Sequence, residues 1–164
     1  RHEQASELTA LCRRFGVPLI VNDDLRLADL ADADGVHLGR DDGSLKEARI
    51  ILGPKKFIGA SCYQSIELAL AAQAAGADYV AFGSFFPSPT KPDAGRASLD
   101  LLRAATPVVH VPIVAIGGIT LANAPPLLDA GADSLAVLSA VFDTPDIRAA
   151  ARALNQLFTI ESEE

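Results

Sequence analysis

Six short runs of apolar residues punctuate the chain, at residues 18–22, 35–39, 57–61, 79–83, 112–117 and 134–139. Within each run the apolar residues are consecutive rather than alternating. Strands buried on both faces read this way, as in a parallel sheet. The runs start 17, 22, 22, 33 and 22 residues apart, which leaves room for one helix in each gap. Residues 64–75 are rich in strong helix formers and stop at Gly76. Helices are also predicted over 3–15, 99–105, 120–130 and 145–158, the first with Leu8, Leu11 and Cys12 on one stripe.

An internal repeat supports this layout. Ala-Asp-Ala-Asp-Gly-Val-His-Leu-Gly (31–39), Ala-Gly-Ala-Asp-Tyr-Val-Ala-Phe-Gly (75–83) and Ala-Gly-Ala-Asp-Ser-Leu-Ala-Val-Leu (130–138) follow one scheme. Each is a helix end, a turn with Asp and then a buried strand. Repeated βα units imply either an open doubly wound sheet or a (β/α)₈ barrel. The first predicted strand is not followed by a Gly-rich dinucleotide fingerprint, which argues against the dinucleotide-binding version.

In both architectures, sites form beyond the carboxyl ends of the strands. The residues there are Asn22-Asp23-Asp24, Gly39-Arg40-Asp41-Asp42, Ser61, Gly83-Ser84, Gly117-Gly118 and Ser139. Two acidic doublets after neighbouring strands suit a hard cation such as Mg²⁺ that keeps waters and bridges to phosphate. The same aspartates would equally serve as caps for the helices that follow. Gly117-Gly118 and Ser139 fit a phosphate held by backbone N–H groups, or a tight turn. The segment 84–96 carries Ser88, Thr90 and Lys91 among three prolines. It is long and stiff for a connector and reads as a clamp on phosphate, with a solvated surface loop as the alternative. His37 and His110 lie among apolar residues and read as satisfied core histidines. Phe85 and Phe86 read as packing residues, and Lys46 to Arg49 as a solvated helix face.

Composition narrows the function. At 164 residues the chain fits one domain, and 49% hydrophobic with 21% charged residues is a globular balance. A net charge of −7 argues against nucleic acid or an anionic membrane as partner. The apolar runs are all too short to span a bilayer. Two cysteines, Cys12 and Cys62, cannot build a disulfide framework, so a reducing cytoplasm is expected, with both thiols packed as small apolar groups.

Taken together, the motifs resemble the thiamine phosphate synthase family. The strings are Leu-Ile-Val-Asn-Asp (19–23), Gly-Val-His-Leu-Gly (35–39) with Asp42, and Ile-Gly-Ala-Ser (58–61). They continue with Gly-Ala-Asp-Tyr-Val (76–80), Pro-Thr-Lys (89–91), Ala-Ile-Gly-Gly-Ile (115–119) and Ala-Gly-Ala-Asp-Ser-Leu-Ala-Val-Leu-Ser (130–139). They cover nearly the whole chain in order. The resemblance implies a (β/α)₈ barrel that joins hydroxymethylpyrimidine diphosphate to a thiazole phosphate, with loss of pyrophosphate. It implies Asp23 and Asp42 as Mg²⁺ ligands, and Asn22, Ser61 and Lys91 as contacts to the pyrimidine diphosphate, Ser61 and Lys91 being the catalytic pair. Ser88, Thr90, Gly118, Leu138 and Ser139 would hold the thiazole phosphate.

Ser88 stands where the family often has threonine, a change that keeps the hydroxyl. Two further βα units and a Gln-x-Arg-x-Lys stretch of the family have no counterpart here. The expectation is therefore one partial barrel domain over 1–164, a helix at 3–15 followed by six βα units. Such a piece should be poorly stable and inactive alone unless a second copy supplies the missing wall. The competing readings are a thiazole tautomerase-like relative, which needs no Mg²⁺, and a non-catalytic barrel that binds a phosphate ligand.

Overall fold

The structure, a computed structural model, describes residues 1–87 and 95–158. Its first half runs α1 (His2–Arg14), β1 (Ile20–Asn22), α2 (Leu25–Leu30), β2 (Gly35–Leu38), α3 (Leu45–Leu52), β3 (Phe57–Tyr63) and α4 (Ile66–Ala74). The second half runs β4 (Tyr79–Gly83), α5 (Leu99–Ala105), β5 (Ile113–Ile116), α6 (Pro125–Asp129), β6 (Ser134–Ala136), α7 (Ser139–Phe142) and α8 (Ile147–Gln156). The six strands pair in the order β1-β2-β3-β4-β5-β6 and every pairing is parallel. Consecutive order is barrel-type winding. A doubly wound sheet would reverse direction at a switch point. The sheet is a half-barrel, with β1 and β6 as its edges among the described residues.

Each predicted strand is present: β4 has the predicted bounds, β3 runs on to Tyr63, and the other four are trimmed at their ends. α6 differs more, because it begins at Pro125 rather than near residue 120. Pro125 and Pro126 have no N–H to donate backward, so the preceding residues form a turn instead. In that turn Asn123 accepts from Thr120 N at 2.7 Å and donates to Gly118 O at 3.1 Å. α4 starts at Ile66 because Ser65 caps it, accepting from Leu68 N at 3.1 Å. His110 is exposed on the loop before β5 and is not a core histidine. Val109 is buried there in its place.

The repeat has a physical reason. After α2, α4 and α6 the chain closes the helix with the same pair of bonds: Asp32 N to Asp29 O and Ala33 N to Ala28 O, Gly76 N to Gln73 O and Ala77 N to Ala72 O, Gly131 N to Leu128 O and Ala132 N to Leu127 O. The closing residue takes a positive φ, +91° at Gly76 and +102° at Gly131. Asp32 does the same work at φ +49°. The aspartate two residues on then fastens the sheet. Asp34 accepts from Leu19 N at 2.8 Å, Asp78 from Ile58 N at 2.7 Å and Asp133 from Ile113 N at 2.7 Å. These bonds tie the amino-terminal ends of neighbouring strands. The core divides in two, with Val36, Leu38 and Ile58 packed on α2 and α3, and Val80, Phe82, Ile113 and Leu127 packed among α4 to α6.

Asp32 also receives Lys56 Nζ at 2.6 Å and Arg13 Nη2 at 2.7 Å. The Lys56 ammonium, then the Arg13 guanidinium, hold its carboxyl down from 3.8 to about 2. A depressed carboxyl contributes stability above the unfolded value, and that contribution disappears as pH falls from about 4 through 2. Asp32→Asn keeps the left-handed turn, which Asn adopts readily. The urea midpoint of wild type should therefore exceed that of Asp32→Asn at neutral pH. The gap should close in acid and shrink with added salt, since the site is exposed.

Candidate active site

The described residues among those singled out as site candidates lie at the carboxyl end of the half-barrel. Asn22 closes β1. Asp23 follows with φ +66° and donates its N–H to His37 O at 2.8 Å. Asp24 caps α2, its Oδ1 accepting from Leu27 N at 2.9 Å, so for this aspartate the capping role holds. Asp42 reaches back to the end of β2, where Oδ2 accepts from Gly39 N at 2.8 Å. Asp23 and Asp42 are thus both anchored at the end of β2, through His37 O and through Gly39 N just beyond it. Asp41 is exposed beside them.

Register aligns the interior. Asn22 pairs with His37, His37 with Gly59 and Gly59 with Tyr79, so these four form one row across β1 to β4. Ser61 stands two residues further along β3, on the same face as Gly59. His37 Nε2 lies 2.9 Å from Ser61 Oγ, and His37 Nδ1 lies 3.1 Å from the Tyr79 hydroxyl. The two rings stack with centroids 5.5 Å apart and planes at 25°. Burial, with the Asp78 carboxylate adding to it, pushes the Tyr79 phenol up to about 12, so it stays protonated at neutral pH. His37 is a satisfied histidine, as its surroundings in the sequence suggest, but its partner is a candidate site residue.

A bulge between Ser61 and Tyr63 turns β3 at its end, where Tyr63 adopts φ +53°. Its hydroxyl accepts from Arg40 N at 3.3 Å, and the Arg40 guanidinium lies 5.2 Å from the ring centroid. Arg40 is a rim cation that spacing did not single out. Gln64, expected at a helix start, instead donates from Nε2 to Gly83 O and to Gly95 O, the latter at 3.0 Å. Ser84 N donates to Gly95 O at 3.2 Å, and Ala97 N to Ser84 O at 2.9 Å. These bonds close the neck of the segment after β4. Ser88, Thr90 and Lys91 lie outside the described residues.

At the other side of the rim, β5 and β6 pair Ile116 with Ala136, and Gly118 and Leu138 each follow two residues beyond that pair. Gly118 has φ +63°. Leu138 is exposed and Ser139 opens α7, a single turn. Phe85 is buried in the core, as read from the sequence. With Phe86, Ala97, Leu99, Asn123 and Pro126 it also lines a cavity of about 440 Å³. Among the described residues, the candidate phosphate contacts Gly118, Leu138 and Ser139 do not line that cavity. Cys62 is buried, and burial pushes its thiol up to about 12, which makes it inert. Cys12 is half-buried.

Among the described residues no three His, Cys, Asp or Glu side chains cluster to hold a metal ion. Two carboxylates on adjacent strand ends are nonetheless the donor set a hydrated Mg²⁺ uses, the remaining positions going to water and substrate phosphate. Asp42 accepts from Gly39 N through Oδ2, and its Oδ1 has no hydrogen-bond partner among the described residues. The donors fit the ion.

Barrel-type winding with acidic, hydroxyl and glycine groups at the strand ends is an α/β arrangement that gathers polar groups where such folds carry their sites. The chain belongs to the thiamine monophosphate synthase family, whose model matches residues 1–141. It is 76% identical to the thiamine-phosphate synthase of Thiobacillus denitrificans over 164 residues, all of this chain and 78% of that one. It is 57% identical to the thiamine-phosphate synthase of Methylobacillus flagellatus over 155 residues, 94% of this chain and 74% of that one. The solved thiamine phosphate pyrophosphorylase from Pyrococcus furiosus is 40% identical, with a TM-score of 0.87 over 96% of this chain and 75% of its own. The family is one of transferases in thiamine biosynthesis. Among the described residues no helix is long and apolar enough to cross a membrane.

Proposed function

We propose that this rim joins hydroxymethylpyrimidine diphosphate to a thiazole phosphate, giving thiamine phosphate and pyrophosphate. The observation that carries the reading is the placement of Asn22, Asp23, Asp42 and Ser61 at the carboxyl ends of three neighbouring strands. In the reaction the bond between the pyrimidine methylene carbon and the diphosphate oxygen breaks. The thiazole nitrogen bonds to that carbon, and pyrophosphate leaves with the electron pair. Charge grows on the leaving group, so the site's main work is to receive it.

Asp23 and Asp42 would hold Mg²⁺, which when bound supplies charge neutralisation at the diphosphate. Asn22 and Ser61 hold the diphosphate by hydrogen bonds, and Lys91 adds a cation to it. Ser88, Thr90, Gly118, Leu138 and Ser139 hold the thiazole phosphate, so that its nitrogen faces the carbon. Neither a nucleophilic side chain nor a general base is needed. The six βα units form part of a (β/α)₈ barrel in which two further units fill the space between β1 and β6. A second copy supplying that wall is the alternative. The acidic chain works on small molecules in the cytoplasm.

The test is turnover. The enzyme given both substrates and Mg²⁺ should form thiamine phosphate and pyrophosphate in equal amounts. Ser61→Ala should lower kcat/KM for the pyrimidine diphosphate by roughly 10-fold or more. Tautomerisation of the thiazole alone, or tight binding of thiazole phosphate without product, would overturn the reading.

A further inference from the structure

We propose that Tyr79 and His37 form a hydrogen-bond relay that sets the Ser61 hydroxyl as a donor toward the substrate diphosphate. They are positioning residues, acting through Ser61, and the proposal rests on the contact assigned to Ser61 above.

The relay is built into the sheet. Gly59 separates His37 from Tyr79 in the paired row. A side chain there would collide with the Tyr79 ring, so the missing Cβ is the space that the ring occupies. Tyr79 can then lie across β3 and stack on His37. This orients His37 with Nδ1 toward the phenol and Nε2 toward Ser61, at 3.1 Å and 2.9 Å.

The polarity of the chain follows from proton counting. Neutral imidazole has one donor nitrogen and one acceptor nitrogen. The Tyr79 hydroxyl is protonated, and His37 Nδ1 is its hydrogen-bond partner among the described residues. If Nδ1 carried the proton, the half-buried Tyr79 O–H would have no protein acceptor among the described residues, which costs free energy. Tyr79 therefore donates to Nδ1. His37 then carries its proton on Nε2 and donates to Ser61 Oγ. With that lone pair engaged, the serine proton points away from His37, toward the mouth at the end of β3. A phosphate oxygen is the acceptor such a donor suits. The opposite polarity, with His37 accepting from Ser61, would turn the serine proton toward the imidazole and leave only oxygen lone pairs to face an anionic diphosphate.

The test uses Tyr79→Phe, which keeps the ring and its stack and removes only the hydroxyl. Its kcat should fall by roughly 10-fold, with KM for thiazole phosphate unchanged. In a Ser61→Ala background the same change should lower kcat by less than about 2-fold, because the relay has lost its end. His37→Gln, whose amide can still donate to Ser61, should retain more activity than His37→Leu. Independently of activity, ¹⁵N NMR of the folded protein should show His37 protonated at Nε2. Equal losses in both backgrounds, or a proton on Nδ1, would overturn the relay while leaving the Ser61 contact standing. An unaffected Ser61→Ala enzyme would overturn the Ser61 contact itself and the relay with it.

Discussion

Asp23→Asn and Asp42→Asn should each raise the Mg²⁺ concentration for half-maximal rate by roughly 10-fold or more, with little loss of stability. The amide is the right replacement at both positions, for different reasons. Asp23 sits at φ +66°, a left-handed conformation that Asn adopts as readily as Asp and that Ala resists. Asp42 accepts from Gly39 N, and an amide oxygen can still accept that bond. Each variant therefore keeps the backbone and removes one negative charge. A hard cation loses much more from that than the fold does. The check is a Mg²⁺ titration of initial rate at saturating substrates, beside thermal unfolding without the ion. Unchanged Mg²⁺ dependence would remove the residue as a ligand. Asp24→Asn is the control: Asp24 caps α2 through Leu27 N, and Asn caps as well as Asp. It should change neither quantity appreciably.

The sheet was legible because its signal is local. A run of consecutive apolar residues needs no partner to be recognised, and the spacing of six such runs already implies one helix per gap. The helices were legible where they are long. α2 has 6 residues and α7 has 4, too few turns for a periodicity to register. α6 was misplaced at its start because Thr120 and Asn123 look like helix-opening residues. They serve a turn, and the prolines after it set the true boundary. The rim was legible as strand ends but its wiring was not. His37 bonds to residues 24 and 42 positions away in the chain, and only the strand register brings them together. The glycine that makes room for Tyr79 lies in a third strand. Gln64 likewise reads as a helix start, because its bonds to Gly83 and Gly95 depend on how β4 and the returning chain meet. His110 has valines on both sides, yet the loop before β5 leaves it in solvent.

Of the three aspartates that fasten the strands, Asp78 should matter most. Asp78→Ala should cost about 2 to 3 kcal/mol, more than Asp34→Ala or Asp133→Ala. Asp34 and Asp133 each accept one sheet N–H across strands. Asp78 accepts Ile58 N and also Arg49 Nη2, at 2.6 Å. Arg49 in turn donates to Gly53 O at 2.9 Å, Lys56 O at 2.7 Å and Gly76 O at 3.0 Å. One guanidinium thus ties the end of α3, the start of β3 and the turn before β4. The pair is half-buried, so water only partly replaces what is lost. Removing the carboxylate leaves the Ile58 N–H without its acceptor and the Arg49 charge without its counter-ion, held by three carbonyls alone. Arg49→Lys should not rescue the node, because an ammonium cannot reproduce the planar fork that reaches four acceptors. The measurement is urea unfolding, where the midpoint should drop while the slope stays the same. Activity per folded molecule at low temperature should be nearly unchanged, since these residues sit at the amino-terminal end of the strands, opposite the rim. A large loss of kcat in folded Asp78→Ala would instead mean that this end sets the register on which His37, Ser61 and Tyr79 depend.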